Sequence, residues 1–433
     1  MYLVKHCPDH GLFRTVIWQG TTAYAAWQRP KKPSSPLQAF TRTDHGCPFD
    51  CGLCPNHGQH TCTALIEITG RCNLHCPVCF ADAGNACETG PSLAQIGFLY
   101  DRILAASGQC NIQLSGGEPT MREDLAAIIT LGRNKGFAFL QLNSNGLRLA
   151  ESVDYARSLK HAGLASVFLQ FDGISAQAHQ RLRGRDLRQV KQDAIDNCAA
   201  AGLAVVLVPT LVPGVNTGEI GAIIDYAAQH APTVRGVHFQ PISYFGRFPN
   251  PLEDSSRLTL PGVMDLLEAQ TNGAIRAEHF SPPGCEHALC SFHGNFLVTE
   301  EGRLQPLGTG QTACCTTGEP PASASALEGR NKSVGFTARQ WSLPMATVQP
   351  CSCEIDPESK PQDDLDRFLA RARTHTFSIT AMAFQDAWTL DLERLRGCCI
   401  HVVSPAGQMV PFCAYNLTAQ DGTPLHRKVA PCA

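Results

Sequence analysis

Short apolar runs alternate with longer amphipathic segments between residues 63 and 245. Each run is almost continuously apolar over six or seven residues, which is typical of strands buried on both faces of a parallel sheet. We therefore predict strands at 63–69, 110–115, 137–143, 166–171, 204–210 and 235–241, and helices at 92–107, 122–134, 151–162, 187–201 and 217–230. Six such units predict an α/β fold, a partial (β/α)6 TIM-like barrel.

Unusual polar and small residues follow the ends of several predicted strands. Catalytic groups of such barrels lie at the C-terminal ends of the strands, so these residues are candidates for a site. They are Cys72 after the first strand, Gly116, Gly117 and Glu118 after the second, Ser144 and Asn145 after the third, and Asp172 after the fourth.

The chain has 433 residues, enough for two or three domains. We divide it into a cysteine-rich N-terminal region at 1–62, the barrel core at 63–245, and a C-terminal domain at 246–433. Its net charge of -3, from 35 basic and 38 acidic residues, gives no indication of a nucleic-acid partner. Because no secretory signal or apolar stretch long enough to span a bilayer is present, we expect a cytoplasmic protein without a transmembrane segment.

Cysteine is over-represented, with 21 residues, which in a cytoplasmic protein favours metal binding over disulfides. The clearest pattern is Cys72-x3-Cys76-x2-Cys79, three thiolates on one loop. They can bind three irons of a [4Fe–4S] cubane and leave the fourth iron open to a cofactor. The alternative is a zinc site completed by His75 or Cys87.

A second triplet, Cys47-x3-Cys51-x2-Cys54, has the same spacing. No predicted strand precedes it, and Cys62 is available as a fourth ligand. We predict that these four cysteines hold a closed auxiliary [4Fe–4S] cluster, which can carry electrons but has no free iron. A four-cysteine zinc knuckle is the alternative.

A third set lies in the C-terminal region, where loops rich in small residues carry further cysteines. We predict a second auxiliary cluster on Cys285, Cys290, Cys413 and one of the neighbours Cys398 and Cys399, of which Cys398 is taken as the ligand. Buried core positions are expected for Cys110 and Cys198. We assign no role to Cys7, Cys314, Cys315, Cys351 and Cys353.

The triplet at 72–79, followed by Phe80, and the segment Gly116–Gly117–Glu118–Pro119 resemble the motifs of the radical S-adenosylmethionine (SAM) superfamily. The resemblance implies that SAM binds the open iron and that Glu118 and its two glycines bind the SAM amino group. It makes Ser144, Asn145 and Asp172 candidates for cofactor or substrate contact. It also implies a low-potential reductant such as a ferredoxin or flavodoxin.

Further segments of the sequence resemble one branch of the superfamily. They are HCPDHG, HGCPFDCGLCPNHGQHTC, QPISYFGR, GCEHALCSFHGN and PFCAYN. This branch contains archaeal tetraether lipid synthases and the methylenetetrahydrofolate-dependent methyltransferases of methanopterin biosynthesis. It implies a rubredoxin-like iron site at the N-terminus, and only the second half of that knuckle, with Cys7, is present in this sequence.

The expected activity is reductive cleavage of SAM to a 5′-deoxyadenosyl radical, followed by C–H activation. The product would be a methylated or C–C-coupled small molecule resembling a pterin or a lipid. Three alternatives stay open: a peptide-modifying maturase with auxiliary clusters, a non-catalytic iron–sulfur electron carrier, and a zinc-binding interaction protein.

Overall fold

The computed structural model describes residues 1–29, 31, 34–84, 90–248, 256–308, 326–343, 364–419 and 421–427. Its strands are β1 Tyr2–Cys7, β2 Gly11–Val16, β3 Thr63–Thr69, β4 Asn111–Gly116, β5 Leu140–Ser144, β6 Ser166–Gln170, β7 Ala204–Val208, β8 Thr210–Leu211, β9 Val234–Pro241, β10 Ser291–Val298, β11 Leu304–Pro306, β12 Thr376–Met382, β13 Ile400–Val403 and β14 Met409–Pro411. Its α-helices are α1 Leu93–Ser107, α2 Leu125–Asn134, α3 Leu147–Glu151, α4 Val153–Ala162, α5 Ala176–Arg183, α6 Arg188–Ala200, α7 Ile220–Gln229, α8 Leu260–Gln270, α9 Ala326–Gln340, α10 Asp364–Thr374, α11 Leu392–Arg396 and α12 Phe412–Tyr415.

Within the described residues, one sheet has the strand order β11-β10-β12-β9-β7-β6-β5-β4-β3-β13-β14, with β8 paired to β9. Neighbours from β12 through β13 pair in parallel, whereas β10, β11 and β14 join antiparallel at the two edges. The predicted partial α/β barrel is confirmed. The β1–β2 hairpin forms a separate two-stranded sheet.

The predicted strands and helices of the core are all present, with ends shifted by a few residues. Two short helices were missed, α3 and α5. Strand β3 matches its prediction at both ends, because its apolar run is bounded by polar residues on each side.

The C-terminal part of the chain adds strands to both edges of the six-stranded core. β12 pairs in parallel with β9, and β13 pairs in parallel with β3. The sheet therefore crosses residue 245, the boundary predicted from sequence, although the division into domains stays a prediction. None of the described helices is long and apolar enough to cross a membrane.

Apolar side chains of the parallel strands pack against the helices that connect them. Ile66 and Ile68 of β3 are fully buried together with Ile96 and Ile103 of α1. Ser92 precedes helix α1 and caps it: its side chain accepts from the backbone N–H of Gln95 in a capping box. This packing fixes the strand ends from which the candidate site is built.

Helix α9 covers the opposite, N-terminal end of the strands. Arg330 donates to the carbonyl oxygens of Thr61 and Gln109, the residues that lead into β3 and β4. Arg235 of β9 donates to the carbonyl oxygen of Gln340 at the helix end. The interior of the sheet is thus bounded by the cysteine loop at one end and by this helix at the other.

Candidate active site

The 72–79 loop leaves the C-terminal end of β3 and returns towards α1. Leu74 is buried against Leu187, and Cys79 exchanges two backbone hydrogen bonds of 2.9 Å with Arg247. All three cysteines of the loop line one cavity. Because burial raises the pKa of Cys72 to about 11, its thiolate requires a metal or a cation to be stable at neutral pH. Three inward-facing thiols on one anchored loop suit an iron–sulfur cluster.

The two glycines of the GGE segment let β4 approach this loop closely. A Cβ atom on Gly117 would lie 2.2 Å from the carbonyl oxygen of Arg71, and one on Gly116 would lie 2.2 Å from that of Thr69. The backbone N–H of Gly117 donates to the Thr69 oxygen at 2.7 Å, and that of Glu118 donates to the Arg71 oxygen at 2.8 Å. Only glycine allows this contact, which sets Glu118 beside the cysteine loop.

The buried carboxylate of Glu118 is held by donors from two strand ends. It accepts from the hydroxyl groups of Thr120 and Ser144, at 2.7 and 2.8 Å, and from the backbone N–H of Asn145 at 2.7 Å. Burial raises the pKa of Glu118, while these hydrogen bonds oppose the shift. Glu118, Ser144 and Asn145 line the same cavity as the cysteines, so the structure brings these predicted residues together.

Asp172 is not among the residues that line the cavity, so the structure gives no support to its predicted contact with a cofactor. Its fully buried carboxylate pairs with Arg183, whose Nε and Nη2 donate to it at 2.6 and 2.7 Å. Arg183 lines the cavity instead, donates to the carbonyl oxygen of Val78 at 2.9 Å and lies close enough to Cys76 for its charge to interact with that thiol. The physical reason is that a buried carboxylate needs a counter-charge, and Arg183 supplies it.

Two buried cations of this site were missed in the sequence. Burial disfavours the charge of Arg183, but Asp172 outweighs it and holds the pKa of Arg183 above its usual range. Lys191 is fully buried and donates to the carbonyl oxygen of Asn145 at 2.5 Å. Burial lowers the pKa of Lys191 to about 8, against the attraction of Asp172. In the sequence, each of them is a basic residue within a polar helix that follows a strand of the site. That pattern could have identified both residues.

The structure does not support His75 as a fourth ligand of a zinc site at this loop. His75 is exposed and is absent from the residues that line the cavity. Cys87, the other proposed fourth ligand, lies outside the described residues. The three thiols therefore face the cavity without His75.

Cys47, Cys51 and Cys54 are neighbours, as their spacing predicted. Burial raises the pKa of the Cys51 thiol, and the adjacent Cys47 and Cys54 add to the shift. Asp50 supports the loop by accepting from the backbone N–H groups of His45 and Gly46 at 2.5 and 2.6 Å.

The structure groups Cys62 with other cysteines than this triplet, and the predicted four-cysteine ligand set stays a prediction. Cys62 forms a disulfide with Cys285, and the Cys399 sulfur lies within 4.8 Å of both. The reason is strand pairing: the backbone N–H of Cys62 donates to the carbonyl oxygen of Cys399 at 2.8 Å, where β3 meets β13. When reduced, these three buried sulfurs offer ligands to one metal centre.

Cys285 therefore also leaves its predicted set, in which Cys290, Cys398 and Cys413 remain together. Burial raises the pKa of Cys398 well above its usual range, and the Cys413 and Cys290 thiols contribute. Arg394 is buried beside them, with Nη2 at 3.3 Å from the Cys290 sulfur. This cation could balance thiolate charge at the set.

The remaining cysteines divide into three groups. Cys110 and Cys198 are buried among apolar side chains, as predicted for core residues. Cys7 is half-buried, and its sulfur lies 3.2 Å from Nδ1 of His10. Five others lie outside the described residues: Cys314, Cys315, Cys351, Cys353 and Cys432.

The cavity has a volume of about 1020 Å³ and extends from the 72–79 loop to helix α9. Sites for a single small ligand usually enclose roughly 300–1,000 Å³. The volume is thus sufficient for a cofactor and a second small molecule. Its walls carry many uncharged polar side chains, including Gln113, Gln240 and Thr380, whereas barrels of this class are ordinarily filled with branched apolar residues.

Comparison with known proteins agrees with this geometry. The radical SAM superfamily model matches residues 66–227. A 7,8-dihydro-6-hydroxymethylpterin dimethyltransferase of Methanocaldococcus jannaschii is 34% identical over 448 residues, covering 95% of this chain and 88% of that protein. A probable GTP 3′,8-cyclase of Methanothermobacter thermautotrophicus is 29% identical over 174 residues, covering 40% of this chain and 56% of that protein.

Solved structures give weaker matches. Streptococcus suis SuiB is 14% identical with a TM-score of 0.41, covering 50% of this chain and 47% of that one. The FeFe-hydrogenase maturase HydG from Carboxydothermus hydrogenoformans is 14% identical with a TM-score of 0.40, covering 50% of this chain and 52% of that one. The sequence comparisons decide the matter: this chain is a radical SAM enzyme with a SAM-binding [4Fe–4S] cluster, in the branch that contains the Methanocaldococcus jannaschii dimethyltransferase.

Proposed function

We propose that this enzyme methylates a ring system of the pterin class by radical C–H activation. The observation that carries the proposal is the 34% identity to a pterin dimethyltransferase across 95% of this chain. The uncharged polar side chains in the cavity wall, such as Gln113, Gln240 and Thr380, support it, because a pterin is a neutral, planar molecule rich in hydrogen-bonding groups.

The protein groups of the 72–79 loop and the GGE segment have distinct roles in this proposal. Cys72, Cys76 and Cys79 hold the catalytic cluster, and Glu118 receives the amino group of SAM. Arg183 fixes the loop through Val78 and provides positive charge beside Cys76. Bound together, the cluster and SAM supply the 5′-deoxyadenosyl radical that removes a hydrogen atom from the substrate.

The auxiliary cysteines fall into three neighbourhoods, which we propose as metal-binding sets. Cys47, Cys51 and Cys54 form the first, and Cys62, Cys285 and Cys399 the second. The third contains Cys290, Cys398 and Cys413, with Arg394 as its counter-charge. Their proposed role is electron transfer to or from the substrate radical, with a ferredoxin or flavodoxin as the external reductant.

An anaerobic assay tests the function. Reconstituted protein is incubated with dithionite, SAM, a methylene donor such as methylenetetrahydrofolate, and 6-hydroxymethyl-7,8-dihydropterin. Mass spectrometry then follows 5′-deoxyadenosine and the pterin. We expect 5′-deoxyadenosine together with a pterin that has gained a methyl group. Cys76→Ala should abolish both products, whereas Cys198→Ala, a matched change in the apolar core, should retain them.

The outcomes separate the alternatives. An electron carrier would produce no 5′-deoxyadenosine, and a zinc protein would contain no iron. A peptide maturase would cleave SAM but leave the pterin unchanged in mass, and that result would refute methylation of a pterin.

A further inference from the structure

One row of residues crosses the sheet inside the cavity and carries amide side chains at both ends. The strand register joins its members in order: Asn143 of β5, Phe168, Val206, Gly236, Ser378 and Asn295 of β10. Residues in one register row project to the same face of a sheet. Asn143, Phe168, Ser378 and Asn295 accordingly all line the cavity.

An aromatic surface occupies the middle of this row. The ring centroids of Phe168 and Trp341 are 5.3 Å apart, and those of Phe168 and His238 are 5.1 Å apart. The Trp341 indole N–H donates to the Ser378 hydroxyl at 3.2 Å. This bond holds Trp341, and with it the preceding Gln340, beside the row. The Phe168 and Trp341 rings are tilted by 42° to each other, and the face of either ring can pack against a planar ligand.

Three side-chain amides around this surface each have one atom without a hydrogen-bond partner among the described residues. They are the side-chain oxygens of Asn143 and Asn295 and the side-chain nitrogen of Gln340. Asn295 is the cross-strand partner of Ser378, Gln340 precedes the tryptophan bonded to that serine, and both residues line the cavity. They offer one acceptor and one donor. Buried polar groups are normally paired, so an unpaired set that lines a cavity indicates a ligand.

We propose that Asn295 and Gln340 bind the 2-amino-4-oxopyrimidine edge of the substrate, with its rings against Phe168 and Trp341. This edge presents N–H donors to the Asn295 oxygen and a carbonyl acceptor to the Gln340 amide. The inference rests on the proposed function and deepens it by naming the substrate-recognition residues. Pterins and guanine nucleotides share this edge.

The row also orients the bound ring. Asn143 adjoins Ser144, which donates to Glu118 at the proposed SAM-binding end of the cavity. Asn295 and Gln340 lie on the far side of the row, towards α9. A pterin held by its pyrimidine edge therefore turns its other ring, which carries the C6 and C7 positions, towards the cofactor. The Asn143 oxygen can accept from a ring N–H there.

No charged group lies in the row, and the nearby imidazole is neutral. Burial lowers the pKa of His238 to about 3, and its Nδ1 lies 2.8 Å from the Thr380 hydroxyl. The uncharged groups of the row are suited to amide-type hydrogen bonding, and the basic residues Lys332 and Arg339 of α9 line the cavity outside the row.

Binding without turnover tests the proposal. Anaerobic equilibrium dialysis with the reconstituted, oxidised chain measures the dissociation constants of three probes. These are 6-hydroxymethyl-7,8-dihydropterin, the corresponding 7,8-dihydrolumazine, in which oxygen replaces the 2-amino group, and GTP. We expect the pterin to bind about tenfold more tightly than the lumazine, since one hydrogen bond contributes about that factor.

Two nearly isosteric variants, Asn295→Leu and Gln340→Met, should each weaken pterin binding about tenfold. Asn295→Leu should also remove the preference for pterin over lumazine. Gln189→Met, on an exposed surface of α6, is the matched control and should bind like the unmodified chain. Iron content and circular dichroism monitor folding. If a variant does not fold, the comparison of pterin with lumazine on the unmodified chain still decides.

Equal affinities for pterin and lumazine, or unchanged binding by both variants, would overturn the recognition proposal. Methylation of the pterin in that case would leave the proposed function intact. Binding of GTP but not of the pterin, lost in Asn295→Leu and Gln340→Met, would instead support recognition of the shared edge and refute the pterin as substrate.

Discussion

Replacing Asp172 with asparagine tests whether the ion pair with Arg183 supports the candidate site. The two side chains are 0% and 5% exposed and are joined by two hydrogen bonds of 2.6 and 2.7 Å. An asparagine fills the same space but leaves the guanidinium without a counter-charge. Breaking a buried ion pair in this way costs about 3–5 kcal/mol, so we expect the free energy of unfolding to fall by that amount.

Urea denaturation of the anaerobic protein at pH 7 gives the free energy of unfolding, and a double-mutant cycle with Arg183→Met isolates the pair. In the Arg183→Met background, Asp172→Asn should cost at least about 2 kcal/mol less than in the unmodified chain. The control is Asp154→Asn, in an exposed pair with Arg157, where the expected loss is below about 1 kcal/mol. A loss below about 1 kcal/mol for Asp172→Asn, or an equal loss in both backgrounds, would refute the assigned role.

The pH dependence gives the same test an independent readout. Burial alone would raise the pKa of Asp172, but Arg183 outweighs it and holds the pKa below its ordinary value. The pair therefore contributes its full stability above the unfolded pKa of about 4 and loses it as the pH falls through the lower folded value. The stability difference between the unmodified chain and Asp172→Asn should accordingly be complete by about pH 6 and decline below about pH 4.

Three further changes probe other parts of the site. Gly117→Ala should lower the free energy of unfolding by about 1–3 kcal/mol and reduce iron incorporation, because the added Cβ would lie 2.2 Å from a backbone oxygen. Urea denaturation and iron analysis measure the two effects. The control Gly218→Ala, whose added Cβ would lie in open space, should change neither quantity. Burial lowers the pKa of Lys191 to about 8, so between about pH 8 and 10.4 the Lys191 amine is largely protonated only in the unfolded chain. The urea midpoint should therefore rise with pH over this interval relative to that of Lys191→Met. Parallel pH profiles of the two proteins would contradict the assignment. Cys62→Ser and Cys285→Ser should lower the iron content equally and the double variant no further, whereas additive losses would place the two cysteines in separate centres.

The sequence predicted the parts of the site that are local in the chain. The cysteine loop follows directly on β3, and β4 ends at Gly116 with Gly117 and Glu118 directly after it, so each could be assigned from its own strand. Parallel strands bring their C-terminal ends to one edge, and that rule was sufficient to group Ser144 with Glu118.

Contacts across long chain separations could not be predicted in the same way. Cys62 meets Cys399 because β3 pairs with β13, and it meets Cys285 across a separation of 223 residues; no local pattern indicates either contact. Helix α5 was missed because it has only 8 residues and a polar sequence, and Arg183 was missed with it. Asp172 was consequently named as the candidate, whereas its partner Arg183 is the residue that lines the cavity.

The pairing of β3 with β13 also bears on biosynthesis. Thr63 is the register partner of Ile400, so one side of the nascent sheet lacks its neighbour until residue 400 has left the ribosome. An unpaired parallel strand readily captures another chain. A recombinant fragment ending after β9 should therefore accumulate as insoluble material. The metal set that we propose on Cys62, Cys285 and Cys399 can be completed only after that point in synthesis.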